Sequence, residues 1–520
     1  MICSERELEL GDEHDGIWEL DAQAEVGVPV AEALELEDWV IEIDNKSLTH
    51  RPDLWGHRGI AREVAAILRR ELKPLDTTLP AAKSGKPFPV RVESGACSRY
   101  VAVPIDNVRA GGRSPEWMRR LLLAVGQRPI ELTVDISNFV MLDLGQPNHL
   151  FDRERLADGI EVRDARKGER MTTLDGAEHE LTGADLLICS GGEPVALAGV
   201  MGGEASKVTD ATRSLLLEVA TFHPATIRRT SSRLGLRTDS SARFEKHLDP
   251  TLPMQAAGHL VRLLAELQPG IVLPAPPSDA GDWSDPSLVI DFRPERARKL
   301  LGVSIADDEI EGILRRLDFE VAKGGPGKLL VTVPSRRATK DVTIEQDLVE
   351  EVGRIHRYGN VPERNLVAEI APPPHDRRRE FVRKLQDRLS AGALFHELIS
   401  YSFLSDDLFE KLGLDDEREP HVRLENPIVA SDRRVRRSVA HTVLGLLAQN
   451  RRHRADVRLF EVGKGYRPEG GDEPREVHEV ALTWARAAAP AGQGSAGTPR
   501  SFDDDLALKL RGVCEDALRV

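Results

Sequence analysis

The chain has 520 residues, of which 40% are hydrophobic and 30% are charged. This length and composition predict a globular protein of about three or four domains. Its net charge is −15, from 86 acidic and 71 basic residues, which argues against a nucleic-acid binder with a basic surface over the whole chain. No apolar run approaches the roughly 20 residues of a membrane span, and MICSERELEL at the start carries no export signal. The four cysteines lack the paired spacing of a zinc site or a disulfide framework, so we expect a cytoplasmic protein.

The first 89 residues contain one clear helix signal. Residues 1–28 hold no nucleating element, and we expect them to be the last part of a domain. Residues 40–44 alternate between apolar and polar, which predicts a strand. An amphipathic helix that ends before Pro74 is predicted by apolar residues at helical spacing, namely Ile60, Val64, Ile67 and Leu68.

Residues 90–267 form the largest block and contain the segment 131–152, ELTVDISNFVMLDLGQPNHLFD. Its opening alternation of Leu132, Val134 and Ile136 predicts a half-buried strand. More polar groups follow than a plain core holds, namely Asn138, Gln146, Pro147, Asn148 and His149. A neutral imidazole beside a carboxamide is able to hold a substrate carbonyl or a water, although a histidine after a proline is more often an ordinary loop residue.

Helix, turn and strand signals occupy the rest of this block. Ser114 and Pro115 predict the start of a helix, and Gly126 predicts its end. A short helix at 225–233 is closed by Gly235, and Asp175-Gly176 predicts a two-residue hairpin turn. Strands are predicted at 160–163, 171–174, 179–181, 186–189 and 214–220.

Three features of this block suggest a site. The octapeptide LAGVMGGE, with Gly199 and Gly202, has either strained turns or a backbone that another group approaches closely. Glu218 lies in the apolar run SLLLEVATF, so it belongs either to a buried ion pair or to a site that uses it. The polar segment 236–250, with Thr238 and Ser240, is by itself typical of a solvated turn.

A proline-rich linker at 268–287 precedes a small α+β unit. Pro294 and Ser304 predict two helix starts, residues 329–333 a strand, and Val342 the start of a third helix. Four acidic residues crowd that third helix, namely Asp341, Asp347, Glu350 and Glu351. Such oxygen ligands suit magnesium rather than zinc, but their spacing alone favours a solvated helix face.

From about residue 376, helices and strands alternate. Helices are predicted at 380–391 and 439–448, strands at 397–403 and 457–462 with an end at Gly463, and a flexible loop at 486–501. The basic run 433–454 is either a patch for RNA or a solvated helix face.

Several of these segments together resemble the β subunit of bacterial phenylalanyl-tRNA synthetase. They follow in the same order over nearly the whole chain: HRPDLWGHRGIAREVAAI, DISNFVMLDLGQPNHLFD, LAGVMGGE, LEVATFHPATIRRTSSRLGLRTDSSARFEKHLDP, PSRRATKDVTIEQDLVEEVGRIHRYGNVP, ENPIVAS and RLFEVGKGY. The resemblance implies an α2β2 tetramer whose α subunit uses ATP to attach phenylalanine to its tRNA.

The resemblance also implies a multidomain α+β fold. Its parts are a remnant of an oligonucleotide-binding fold at 1–28, a small α+β domain with a linker at 29–89, an editing domain of mixed sheets and helices at 90–267, a small helix-rich α+β domain at 289–373, and an incomplete, non-catalytic class II synthetase-like antiparallel-sheet domain at 376–520. We expect the family's C-terminal anticodon-binding domain to be missing.

Site residues carry over from the family as well. A pocket that hydrolyses mischarged Tyr-tRNA is implied at Asn138, His149, Gly199, Gly202, Glu218, Thr238 and Ser240. Magnesium shared with the α subunit is implied at Asp341, Asp347, Glu350 and Glu351. Ser240 replaces the family's usual alanine, which puts editing selectivity in question. The alternative function is a non-catalytic scaffold or tRNA-binding partner of the α subunit.

Overall fold

The structure is a computed structural model that describes residues 3–8, 10, 14–20, 25–34, 36–365, 367–471, 473–486 and 502–519. The chain divides into two compact units, Met1–Asn365 and Leu366–Val520. The fold class is α+β, as predicted. None of the described helices combines the length and the apolar character that crossing a bilayer requires.

The first unit holds most of the secondary structure. Its helices are α1 (Val30–Ala33), α2 (His57–Leu68), α3 (Glu116–Ala124), α4 (Leu132–Leu144), α5 (Pro224–Leu234), α6 (Asp239–Phe244), α7 (Leu252–Leu267), α8 (Pro294–Leu301), α9 (Asp307–Arg316), α10 (Ser335–Ala338) and α11 (Glu345–His356). Its strands are β1 (Val90–Val92), β2 (Cys97–Asp106), β3 (Asn148–Asp152), β4 (Ile160–Asp164), β5 (Arg170–Thr172), β6 (Glu178–Glu180), β7 (Leu186–Ser190), β8 (Glu193–Leu197), β9 (Met201–Gly202), β10 (Ser214–Phe222), β11 (Ser278–Ala280), β12 (Leu288–Phe292), β13 (Glu320–Gly325) and β14 (Lys328–Val333).

The strands of this unit form sheets with the orders β1-β4-β7-β8-β9, β11-β2-β10-β3, β12-β14-β13 and β5-β6. In the four-stranded sheet, β10 pairs antiparallel with β2 on one side and with β3 on the other. One face of this sheet, with Tyr100 and Leu216, shares a core with the five-stranded sheet. The other face, with Val101 and Leu217, packs against α3, α4 and α7. Both faces of β10 are therefore buried, which explains its unbroken apolar sequence.

The strand predicted at 132–136 is wrong, because these residues begin α4. The Glu131 carboxylate caps this helix by accepting hydrogen bonds from the backbone N–H groups of Thr133 at 3.1 Å and Val134 at 2.8 Å. The same apolar residues also fit a helical period, since Leu132, Ile136 and Val140 stand four apart and are all buried. Over residues 132–140 the helical period fits better than the alternation of the first five residues, and the segment is a helix.

Other predicted elements are confirmed with small shifts. Helix α2 forms, but its buried residues are Gly59, Glu63 and Ala66, whereas most of the predicted apolar face is exposed. Helix α5 ends at Gly235 with φ 70°. Gly176 with φ 80° lies in the turn between β5 and β6, which has three residues rather than the predicted two, because the N–H of Thr173 donates a hydrogen bond to the carbonyl of Ala177. The third helix of the small α+β unit, predicted from Val342, is α11 and begins at Glu345.

Three local predictions are wrong. Within the described stretch 36–365, residues 40–44 belong to no strand. Ser114 does not cap α3, whose N-cap is Pro115, because its hydroxyl instead donates a hydrogen bond to the buried Asp135. Ser304 does not cap α9, whose N-cap is Ala306.

The second unit contains helices α12 (Arg377–Asp387), α13 (Asp406–Lys411), α14 (Val439–Asn450) and α15 (Phe502–Ala517), with a π-helical turn at Arg388–Gly392. Its strands are β15 (His396–Glu397), β16 (Phe403–Leu404), β17 (Val422–Arg423), β18 (Arg434–Val435), β19 (Asp456–Arg467) and β20 (Arg475–Arg486), in sheets ordered β15-β19-β20 and β16-β18-β17.

The strand predicted at 397–403 is only partly present, as the ends of β15 and β16. Strand β19 continues through Gly463, where an end was predicted, and pairs with β20 over its whole length. The predicted loop at 486–501 lies outside the described residues except for Arg486, which ends β20.

Candidate functional site

Glu218 on β10 and His149 on β3 stand directly opposite each other in the antiparallel register. Directly opposed residues of an antiparallel pair point to the same face of the sheet. Both side chains therefore face the core that the sheet shares with the five-stranded sheet. The aromatic ring of Phe151, two residues along β3, contacts the His149 ring edge-on at a centroid distance of 4.5 Å.

A cavity of about 130 Å³ opens beside this pair. Predicted site residues in its wall are His149, Gly199, Gly202, Glu218 and Ser240. The list of site residues implied by the family did not include the other lining residues, although Pro147 and Asn148 belong to the polar run noted in the sequence. These residues are Pro147, Asn148, Ile188, Ala196, Leu197, Val200, Met201 and Phe244. Most of these are apolar, so the cavity combines an apolar wall with a few polar groups, as ligand sites commonly do.

Burial keeps both members of the pair neutral. It raises the pKa of Glu218 to about 8 and lowers the pKa of His149 to about 4, because desolvation disfavours either charged form. Among the described residues, no hydrogen bond to the Glu218 carboxyl is present, and the buried Nε2 of His149 has no partner. Buried polar groups are normally satisfied, so these two are available to a ligand.

The two predicted glycines keep the cavity open. A Cβ atom on Gly202 would lie 2.4 Å from Cε1 and 2.7 Å from Nε2 of His149. A Cβ atom on Gly199 would lie 3.0 Å from the rings of Phe222 and Phe244. Gly199 also has φ +68°, a left-handed conformation that favours glycine. The close backbone approach expected from LAGVMGGE is therefore present.

Thr238 and Asn138 are placed differently from the other predicted site residues, since neither is among the cavity-lining residues. Thr238 caps α6, because its hydroxyl accepts a hydrogen bond from the N–H of Ser241, and it donates one to the carbonyl of Val200 at 2.9 Å. It thus holds the backbone of the cavity wall. Asn138 lies on α4, where the adjacent Ser137 makes the link to the site.

Asn148 is the polar residue that the site prediction missed. The Ser137 hydroxyl donates a hydrogen bond to its Oδ1 at 2.8 Å, and its Nδ2 donates one to the Ser137 carbonyl at 3.1 Å. The signal was present in the sequence, because Asn148 immediately precedes His149 in QPNHLFD.

The four acidic residues predicted to bind magnesium have separate roles. Glu351 is buried and accepts hydrogen bonds from Arg337 at 2.9 Å and from Arg354 at 2.7 Å. Asp341 accepts one from Arg337. Asp347 accepts hydrogen bonds from the N–H groups that precede α11, and Glu350 is exposed.

Arg337 and Arg354 belong to a larger ion-pair network. Arg354 and Arg51 both contact Glu63 on α2, with Arg51 Nη2 at 2.7 Å from Glu63 Oε1. Although burial acts against it, hydrogen bonds from Arg354 and Arg337 hold the pKa of Glu351 at about 2. Guanidinium groups thus occupy two of the four predicted ligands. Within the described residues, no group of three or more His, Cys, Asp or Glu side chains is placed to hold a metal ion, so this arrangement does not fit a magnesium ion held by this chain alone.

Comparison with known proteins covers nearly the whole chain. Residues 96–269 match the B3/4 domain, residues 290–358 the tRNA synthetase B5 domain, and residues 361–515 the phenylalanyl tRNA synthetase beta chain CLM domain. The chain is 38% identical over 496 residues to the phenylalanine–tRNA ligase beta subunit of Solibacter usitatus, covering 94% of this chain and 62% of the relative. It is 40% identical over 493 residues to that of Geobacter metallireducens, covering 92% and 60%.

The chain belongs to the phenylalanine–tRNA ligase beta-subunit family. It spans about three fifths of the length of these two relatives. A solved N-terminal fragment of the phenylalanyl-tRNA synthetase beta-subunit from Pyrococcus horikoshii is 19% identical, with a TM-score of 0.33 over 61% of this chain and 86% of that one, an overlap too loose to bear on the fold.

Proposed function

We propose that the region 90–267 hydrolyses phenylalanine tRNA mischarged with tyrosine, and that the chain acts as the β subunit of a phenylalanine–tRNA ligase. The relatives named above carry that subunit's name. The observation that carries the editing proposal is the buried carboxyl of Glu218, which no described residue hydrogen-bonds, opposite His149 beside a cavity.

Glu218 supports selectivity for tyrosine over phenylalanine. A pocket that binds phenylalanine rejects a substrate with one added hydroxyl by only about 100-fold, so a second, hydrolytic site is needed. A neutral carboxyl both donates and accepts a hydrogen bond, and a tyrosyl hydroxyl matches both. A phenylalanyl group would leave the carboxyl buried and unpaired, which is unfavourable.

His149 supports the hydrolytic step. The unpartnered Nε2 of His149 is able to hold the ester or its attacking water. Because its pKa is lowered to about 4, the imidazole is a weak base. Catalysis then rests mainly on positioning and electrostatic stabilisation, assisted by a hydroxyl of the tRNA itself. A direct contact of Asn138 with the ester stays a prediction.

The partners and cofactors follow from the same proposal. The α subunit holds the aminoacylation site and uses ATP, and two copies of each subunit form the tetramer. The region 289–373 is the small helix-rich domain, and the region 376–520 is the synthetase-like domain without catalytic residues. Magnesium shared with the α subunit stays a prediction that rests on the resemblance alone.

The deciding experiment is hydrolysis of Tyr-tRNA and Phe-tRNA by the complex of this chain with its α subunit. We expect rapid clearance of Tyr-tRNA and slow clearance of Phe-tRNA. Equal clearance of both esters would contradict the selectivity assigned to Glu218. Clearance of neither, with charging intact, would contradict the editing function.

A scaffold is the second candidate function. In the second unit, Ile399 and Tyr401 are 96% and 85% exposed, respectively, on a segment between two strands. Exposed apolar side chains close together are typical of a protein interface. Co-purification with the α subunit without hydrolysis of either ester would favour this function.

A further inference from the structure

Tyr100 on β2 faces the same interior as Glu218. In the register between β2 and β10, Ala102 stands opposite Glu218 and Tyr100 stands opposite Ala220. Tyr100 and Glu218 are therefore diagonal neighbours on one face of the sheet, a separation that an aromatic side chain spans. Tyr100 is completely buried, and its ring belongs to the core between the two sheets.

Among the residues that the structure describes, the buried hydroxyl of Tyr100 has no hydrogen-bond partner. Core packing does not explain this hydroxyl, because phenylalanine would fill the same space without a buried polar atom. Buried tyrosine hydroxyls usually find a partner. Burial raises the pKa of Tyr100, and the nearby Glu218 and Cys97 raise it further. Two neighbouring groups that both lack partners indicate a contact that forms when a ligand enters.

We propose that Tyr100 is a positioning residue for Glu218 in the tyrosine-selective site. When the tyrosyl group binds, the Tyr100 hydroxyl donates a hydrogen bond to one oxygen of Glu218, and the other oxygen meets the substrate hydroxyl. Tyr100 is not among the cavity-lining residues, so it acts through Glu218 and not on the substrate. This inference rests on the proposed editing function and adds a second residue to its selectivity.

The Tyr100 hydroxyl, the Glu218 carboxyl and the substrate hydroxyl then form a hydrogen-bonded chain, which favours binding more than Glu218 alone would. A glutamate side chain without a hydrogen bond samples several rotamers, and fixing one of them lowers the entropy lost on binding. Hydrogen bonds in a buried chain also strengthen one another. Phenylalanyl groups cannot complete this chain, because they lack the hydroxyl at its end.

The test uses Tyr100→Phe in the full complex with the α subunit. The variant removes one oxygen atom, so we expect its melting temperature to stay unchanged or to rise. Clearance of Tyr-tRNA should fall about tenfold in kcat/KM, the effect of one hydrogen bond to a neutral or charged partner. Clearance of Phe-tRNA should not change. Tyr358→Phe, at an exposed position outside residues 90–267, is the matched control and should alter neither.

A double-mutant cycle distinguishes positioning from an independent effect. If Tyr100 acts through Glu218, Tyr100→Phe should cause no further loss once Glu218→Gln is present. Full additivity of the two losses, or normal clearance by Tyr100→Phe alone, would overturn the inference while the editing function stands. A clear drop in melting temperature would also overturn it, since the hydroxyl would then be bonded in the free protein. Absence of clearance by the wild-type complex would overturn both.

Discussion

Glu218 and His149 are direct cross-strand partners, yet burial shifts their pKa values in opposite directions, to about 8 and about 4. Both shifts favour the neutral form. The pair therefore stays uncharged between these two values instead of forming an ion pair. An uncharged site of this kind suits a neutral hydroxyl, and its pH dependence can be measured.

Glu218→Gln should stabilise the protein, and more so at high pH. The folded-state pKa of about 8 lies above the ordinary value of 4.5, so the folded state binds the extra proton. The contribution of Glu218 is fully present below the ordinary value and is lost as the pH rises through 8. Relative to glutamine, the wild type should lose on the order of 5 kcal/mol across this range. Urea unfolding at several pH values measures this loss.

Glu193→Gln is the control for this stability effect, because Glu193 is an exposed glutamate on β8. We expect its unfolding free energy to follow that of the wild type at every pH. The functional effect of Glu218→Gln should be opposite to its effect on stability, with weaker clearance of Tyr-tRNA and unchanged charging with phenylalanine. A variant as unstable at high pH as the wild type would contradict the neutral carboxyl.

His149→Gln should remove a loss of stability on the acidic side. The pKa of His149 is about 4 in the folded state and 6.5 ordinarily, so the unfolded state binds the proton more readily. The stability is complete above the ordinary value and is lost as the pH falls towards 4. This loss is about 3 kcal/mol at most. His179→Gln, at a half-buried histidine on β6, is the control variant for this stability measurement.

The sequence located Glu218 because a carboxylate in an apolar strand is a local anomaly. The register that pairs it with His149 depends on two strands more than 60 residues apart, and no local pattern states it. The helix α4 was missed because three alternating residues fit two periods, and the cap that decides between them is a glutamate. Tyr100 gave no signal, since a tyrosine in an apolar strand is ordinary.

The acidic residues around α11 illustrate a different limit. Asp341 and Glu351 look like metal ligands in the sequence, but both accept hydrogen bonds from Arg337. Glu351 also contacts Arg354, which in turn contacts Glu63, 291 residues before it in the chain. Spacing on one helix cannot reveal such partners. Thr238 was assigned to the pocket, and the structure shows it as the cap of α6 and an anchor of the Val200 backbone, a role that its position before a short helix would have predicted.

Gly202→Val should close the cavity and leave the fold intact. Even one added carbon lies 2.4 Å from the His149 ring, which is far below a normal contact, so the ring must move out of its position. We expect loss of Tyr-tRNA clearance with normal charging. Gly95→Ala is the control, because a Cβ atom there meets nothing within 4 Å. Retained clearance in Gly202→Val would show that the ester binds elsewhere.

The carboxylates near α11 should separate into Asp341 and Glu351, which arginines contact, and Asp347 and Glu350, of which the first caps the helix. Glu351→Gln weakens the buried contacts of Arg337 and Arg354, so we expect a loss of about 3 kcal/mol or more in unfolding free energy. Asp347→Ala removes a cap and should cost about 1 kcal/mol, and Glu350→Ala, at an exposed position, should cost less.

The double variant Asp347→Ala/Glu350→Ala, which keeps the arginine network, tests whether magnesium is bound at the contact with the α subunit. If these two side chains hold the ion with the partner, association should weaken or lose its dependence on magnesium, as measured by gel filtration with and without a chelator. Unchanged association in both conditions would remove magnesium from this surface.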